Sequence, residues 1–155
     1  MCSLQKYIPD RKVCGTKNMI REIEPSKILE TAMGLVTAAK RTIRMTMQAR
    51  EEIENPLPAG YFSLLLKKMK GHVNVTRIGF GSAEEFKQIK NKILIYHRNY
   101  RFHRTRLGDY CRMLLIDDSK LMFVVTEKAK KHVYYTEDKA TIERYKAYFR
   151  HHYRQ

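Results

Sequence analysis

Apolar residues in this chain change their spacing repeatedly, from every third or fourth position to every second, and that order of periods leaves few folds open. Ile28, Leu29, Ala32, Leu35, Val36, Ala39 and Ile43 build one stripe at helical spacing. Pro25 suits a first turn and Ser26 is a nearby cap. Thr42 to Met47 then alternates, with Ile43, Met45 and Met47 against Thr42, Arg44 and Thr46, and reads as a strand. Pro56 and Pro58 mark a break. Leu57 to Met69 reads as a second helix, with Leu64, Leu65 and Leu66 inside. Lys67, Lys68 and Lys70 suit its C-terminal dipole, and Gly71 ends it. Val73, Val75 and Arg77 alternate with Asn74, Thr76 and Ile78, a second strand. A Gly79-Phe80-Gly81 turn and a capping box, Ser82-x-x-Glu85, open a third helix. Ile93 to Tyr96 reads as a short strand. Met113 to Ile116 and Leu121 to Val125 flank Asp117-Asp118-Ser119-Lys120, a hairpin, and Asp138 to Tyr153 is a final helix. This order implies an α/β fold, a mixed β-sheet flanked by helices. Residues 1–25 form a lead-in and 26–155 a single domain.

The charge narrows the function. Lys plus Arg number 31 against 16 Asp plus Glu, a net +15 over 155 residues. Such an excess disfavours cationic partners and favours something anionic: nucleic acid, phosphorylated small molecules or an acidic membrane surface. A hydrophobic share of 43% argues for a packed core. Cys2, Cys14 and Cys111 cannot all pair within one chain, and none sits in a Cys-x-x-Cys pair, so free thiols in a reducing compartment are expected. Met1 to Pro9 lacks a continuous apolar stretch, and no run is long enough to span a membrane. The expectation is a cytoplasmic protein without a membrane span.

Few segments could carry chemistry. The Gly79 to Ser82 turn could offer backbone N–H groups to phosphate, but the Walker Lys is missing and Glu84 and Glu85 follow. Tyr96 to Arg106 interleaves Arg98, Arg101, Arg104 and Arg106 with Tyr100 and Phe102, guanidinium forks beside stacking faces, and is the candidate nucleic-acid-binding segment. The alternative is a strand with solvated arginines. Glu51, Glu52 and Glu54 read as a solvated loop, and His151-His152 as a frayed helix end. Asp117 and Asp118 could bind a metal but sit where a hairpin wants Asp. No His, Cys and carboxylate cluster has zinc spacing, so no metal and no cofactor is expected.

The order of elements resembles the phospholipase D-like superfamily over residues 26 to 150. The matching pieces are Ala39-Lys40-Arg41-Thr42-Ile43, the helix ending before Gly71-His-Val-Asn-Val, and the strand into Asp117. The family's active strand reads His-x-Lys-x-x-x-x-Asp. This chain reads Tyr110-x-Arg112-x-x-x-x-Asp117, so Tyr110 stands where the resemblance implies the nucleophilic His. A phenol with a pKa of about 10 is a poor substitute for an imidazole near 6.5. Arg112 can still hold an anion. The resemblance therefore implies a non-catalytic domain, similar to the effector part of TrmB-type transcription regulators. It would bind phosphate through Arg112, Arg104, Arg106 and Lys120, with Asp117 holding Arg112. Single-motif relatives imply a homodimer. The alternative is a divergent phosphodiesterase or nuclease with His103 or Tyr110 as nucleophile, Arg112 and Asp117 completing the site.

Overall fold

The computed structural model describes residues 20–89, 97–106 and 108–154. Seven strands form one mixed sheet: β1 (Arg21–Ile23), β2 (Thr42–Gln48), β3 (Asn74–Phe80), β4 (Tyr100–Thr105), β5 (Met113–Ile116), β6 (Lys120–Glu127) and β7 (Lys130–Thr136). Their spatial order is β1-β7-β6-β5-β2-β3-β4. β2, β3 and β4 run parallel, whereas β5, β6, β7 and β1 continue antiparallel from β2. Parallel neighbours need a crossover, and α3 (Ala59–Lys70) supplies the one between β2 and β3.

Side chains alternate between the two faces of the sheet. Ile43, Met45, Val75, Leu114 and Ile116 pack with Leu35 and Val36 of α1 (Ile28–Ala38) and with Tyr61, Phe62, Leu65 and Met69 of α3. Ile78, Phe80, Met113, Leu115 and Phe123 pack on the other face with Ile142, Tyr145, Tyr148 and Phe149 of α5 (Lys139–Tyr153). The expected α/β layering is thus present, with β1 and β7 beyond the strands read from the sequence, and with β4 on the basic segment for which a strand was the alternative reading. The capping box holds: Glu85 N–H donates to Ser82 Oγ at 3.2 Å and Ser82 N–H to Glu85 Oε2 at 2.8 Å, opening α4 (Ala83–Gln88). Asp138 caps α5 through Thr141 N–H at 2.8 Å.

Several local expectations are corrected. Pro25 begins a single 3-10 turn, Pro25–Lys27, and Ser26 caps nothing; Glu24 and then Lys27 precede the helical turns. Helix α1 stops at Ala38 because Ala39 turns extended, so Ile43 belongs only to β2. Gly79 and Phe80 lie inside β3 rather than in a turn: Phe86 and Phe102 crowd Gly79 so closely that a Cβ there would meet each at 2.6 Å. His152 is no frayed end; it is 7% exposed and packs 4.6 Å from the Tyr148 ring and 5.0 Å from Phe80. Cys111 is disulfide-bonded, so free thiols fail as an expectation there, and with them the cysteine argument for a reducing compartment. An odd count forbids complete pairing but does not forbid one pair. The strand expected at Ile93 to Tyr96 lies outside the described residues.

Two tight turns shape the meander. Asp117 and Asp118 have φ of 50° and 56°, and Ser119 N–H bonds to Ile116 C=O at 3.0 Å, the backbone of a type I′ turn. Lys128 and Ala129 adopt φ of 47° and 66° in the two-residue loop between paired Glu127 and Lys130. An Ala there carries a left-handed penalty of roughly 1–2 kcal/mol, of which Gly's greater unfolded-state freedom gives back part. Ala129→Gly is expected to stabilise by about 1 kcal/mol, read as a rise of roughly 2–4 °C in Tm.

Candidate functional site

The residues preceding β5 leave the sheet in a defined way. The β2–β5 ladder runs from Ile43↔Ile116 to Met45↔Leu114. Beyond it the Thr46 hydroxyl takes over, accepting from Met113 N–H at 3.0 Å and donating to the Cys111 carbonyl at 2.6 Å. From the opposite face the Tyr148 hydroxyl accepts from Cys111 N–H at 2.7 Å and donates to the Asp109 carbonyl at 2.6 Å. Residues 109–113 are therefore pinned on both sides, which fixes where Tyr110 and Arg112 project.

Both line a cavity of about 710 Å³ between the sheet and the start of α1 and α3. Its charged end is built around Glu51 on α2 (Ala49–Glu54). Arg112 Nη1 lies 3.2 Å from Glu51 Oε2, the Tyr110 hydroxyl donates to the same oxygen at 3.4 Å, and Lys131 Nζ pairs with Oε1. Burial pushes the Tyr110 phenol well above the ordinary tyrosine value, with Arg112 pulling it down and Glu51 pushing it up. Behind them lies a buried ion pair, Arg77 to Glu52 at 3.0 Å, each side chain 5% exposed. Arg77 also sits over the Phe62 ring, 5.6 Å from its centroid, and its Nε has no hydrogen-bond partner. Tyr61, which lines the cavity too, is pushed up to about 12 by burial, against the pull of Arg77 and Arg112.

The other expected site residues lie elsewhere. Asp117 does not hold Arg112. It sits past the far end of β5, where its carboxylate accepts from the backbone N–H groups of Lys40, Arg41 and Thr42, each at 2.8 Å. Lys120 pairs with Ile116 at that same end, and Asp118 pairs with Arg44. Tyr100, Arg101, Phe102, His103 and Arg104 are on β4, separated from β5 by β2 and β3. His103 rests 5.5 Å from the Tyr153 ring with its Nε2 buried and unpartnered, and it does not line the cavity. Tyr100 and Phe102 pack into the α1–α3 core, and Arg104 lies over Phe86 at 5.4 Å. Arg98, Arg101 and Arg106 are exposed. Among the described residues no group of His, Cys, Asp and Glu could hold a metal ion. No helix among them is long and apolar enough to cross a membrane.

The residues missed from the sequence are Glu51, Glu52 and Lys131. Glu52 had a signal: Arg77 is in phase with Val73 and Val75, so it points to the buried side and demands an acid. Glu51 and Lys131 had none, because Glu51 precedes Arg112 by 61 positions and Lys131 by 80.

No family model matches the sequence, and no curated protein is significantly similar to it. Solved structures do match its fold. NucT from Helicobacter pylori superposes with a TM-score of 0.63 at 16% identity, covering 88% of this chain and 94% of that one. Nuc from Salmonella typhimurium, a phospholipase D family member, gives 0.65 at 11% identity, over 90% of this chain and 96% of that one. TrmBL2, an archaeal chromatin protein with its own mode of DNA binding, gives 0.63 at 12% identity, over 96% of this chain but 56% of that one. The sheet order, its helical layers and these superpositions lead to one conclusion: the chain has the phospholipase D-like fold, seen also in Nuc, NucT and about half of TrmBL2.

Proposed function

We propose that this protein is a non-catalytic phospholipase D-like domain that binds an anionic, phosphate-containing ligand in the cavity beside Arg112. The observation that carries this reading is Tyr110. It stands where the resemblance calls for a nucleophilic imidazole, yet its half-buried phenol is raised in pKa and donates to Glu51. Nucleophilic attack on phosphorus needs a readily deprotonated group. Binding needs only the donors, and Arg112 and Lys131 supply charge-assisted ones.

Wild-type protein is expected to leave a chromogenic phosphodiester intact while binding inorganic phosphate. Arg112→Ala should weaken that binding roughly tenfold or more, since one charge-assisted hydrogen bond contributes about 1.5–3 kcal/mol. Turnover by wild type that disappears in Tyr110→Phe would instead establish the phosphodiesterase alternative.

A second reading, nucleic-acid binding in transcription regulation, is favoured by the exposed Arg98, Arg101 and Arg106, none of which has an ion pair with a described residue. TrmBL2 as a DNA-binding neighbour supports it. Affinity for an oligonucleotide should then fall steeply with salt; a flat salt dependence removes this reading. The single-motif resemblance also supports a homodimer, which sedimentation reads directly.

A further inference from the structure

The charged seat of the cavity is already occupied by the chain itself. Three donors, the Tyr110 hydroxyl, Arg112 Nη1 and Lys131 Nζ, converge on one carboxylate, that of Glu51. An oxyanion from outside would need those same donors. The Glu51 side chain is 23% exposed and the Arg112 and Lys131 side chains 42% and 61%, so this end is open enough for exchange.

The rest of the cavity has a different chemistry. Ile28, Leu29, Ala32, Met122 and Val124 form an apolar wall along α1 and β6, while Gln48, Thr126 and the Glu52-paired Arg77 line other parts of the cavity. Leu29 is 41% exposed, one of only two large hydrophobic residues that open to solvent among the described residues. Sugar hydroxyls or a second phosphate placed against that apolar wall would lose water without a partner there. An apolar body would gain from the same transfer. A volume of about 710 Å³ is ample for a small molecule.

We infer that the cavity takes a small amphipathic anion, an oxyanion head on an apolar body, whose head displaces the Glu51 carboxylate from Tyr110, Arg112 and Lys131 while the body lies against α1 and β6. This rests on the cavity being a ligand site, as proposed above, and adds the class of ligand and the residue that competes with it. Glu51 is then a built-in occupant that sets the affinity for the head. Phosphate monoesters and carboxylic acids share the required chemistry.

Calorimetric titration of the full chain tests it with four probes: octyl phosphate, octanoate, inorganic phosphate and 1-octanol. Octyl phosphate or octanoate should bind at least tenfold more tightly than inorganic phosphate and than octanol. Glu51→Gln, which keeps the side-chain shape and removes the competing charge, should tighten binding of both anions severalfold. Ala32→Phe, which fills the apolar part, should weaken the octyl compounds and leave inorganic phosphate unchanged. A preference between the two octyl anions identifies the head as phosphate or carboxylate. Inorganic phosphate binding as tightly as octyl phosphate would overturn the amphipathic class while leaving the phosphate site intact. Weaker anion binding in a folded Glu51→Gln would overturn the displacement. No binding of any anion to any variant would overturn both this inference and the ligand site on which it rests.

Discussion

Glu52→Gln should lower stability by about 3–5 kcal/mol, measured by urea unfolding. Its carboxylate is the acid 3.0 Å from Arg77, and both side chains are 5% exposed. The guanidinium already has one buried N–H without a partner, and its remaining partners, the Tyr100 hydroxyl and the Phe62 ring, are neutral once the charge of Glu52 is gone. The large effect comes from stranding Arg77, not from the worth of the pair. Replacing both members, Glu52→Leu with Arg77→Met, should therefore cost much less than Glu52→Gln alone, because two well-packed apolar side chains avoid the desolvation of both ions. A double variant no more stable than the single one would show that the pair itself supplies the stability.

Asp117→Ala comes next, with an expected loss of roughly 2–4 kcal/mol. The carboxylate accepts three backbone N–H groups at the entrance to β2, and this ties the 116–120 turn to a segment 75 or more residues away. The replacement also places Ala at a φ of 50°, a conformation Asn tolerates far better. Asp117→Asn should thus cost clearly less than Asp117→Ala. The pH dependence has a fixed sign. Burial pushes the Asp117 carboxyl up, but the hydrogen bonds from Thr42, Lys40 and Arg41 together hold it below its ordinary value. A carboxylate lowered by folding contributes fully above its unfolded pKa of about 3.9 and loses that contribution as pH falls through the folded value. Wild type and Asp117→Asn should therefore converge in stability under acid, below about pH 4; a gap that stays constant with pH would contradict the role of the charge.

What could be read from the sequence was local. The hairpin at Asp117-Asp118, the capping box at Ser82 and Glu85, and the final helix each depend on residues within a few positions of one another. β7 escaped notice because it opens with Lys130, Lys131 and His132, which hide the short apolar stretch behind them. β1 is only three residues long and has strand character through its pairing with β7. The fold was legible through element order, since each crossover and hairpin constrains its neighbours. The site was legible in half: Tyr110 and Arg112 come from one motif, but the acid that receives them is on α2 and the second cation is on β7. Asp117 belongs to the same motif and points elsewhere, because the length of β5 carries it to the opposite end of the strand and into the turn. His103 likewise seemed close by count, yet it lies on β4, which β2 and β3 separate from β5.

The arginines of β4 have a second consequence, independent of any ligand. Among the described residues β4 closes one side of the sheet, with β3 as its only neighbour. Its outer row of backbone donors and acceptors is the kind of template on which another chain can add a strand and begin to aggregate. Exposed Arg101 and Arg104 on the strand, with Arg106 just beyond it, would face identical charges on any copy approaching edge to edge. Like charges brought opposite one another across a new pairing are destabilising. The basic border therefore acts as a colloidal safeguard, keeping a seven-stranded sheet from growing an eighth strand out of its neighbour.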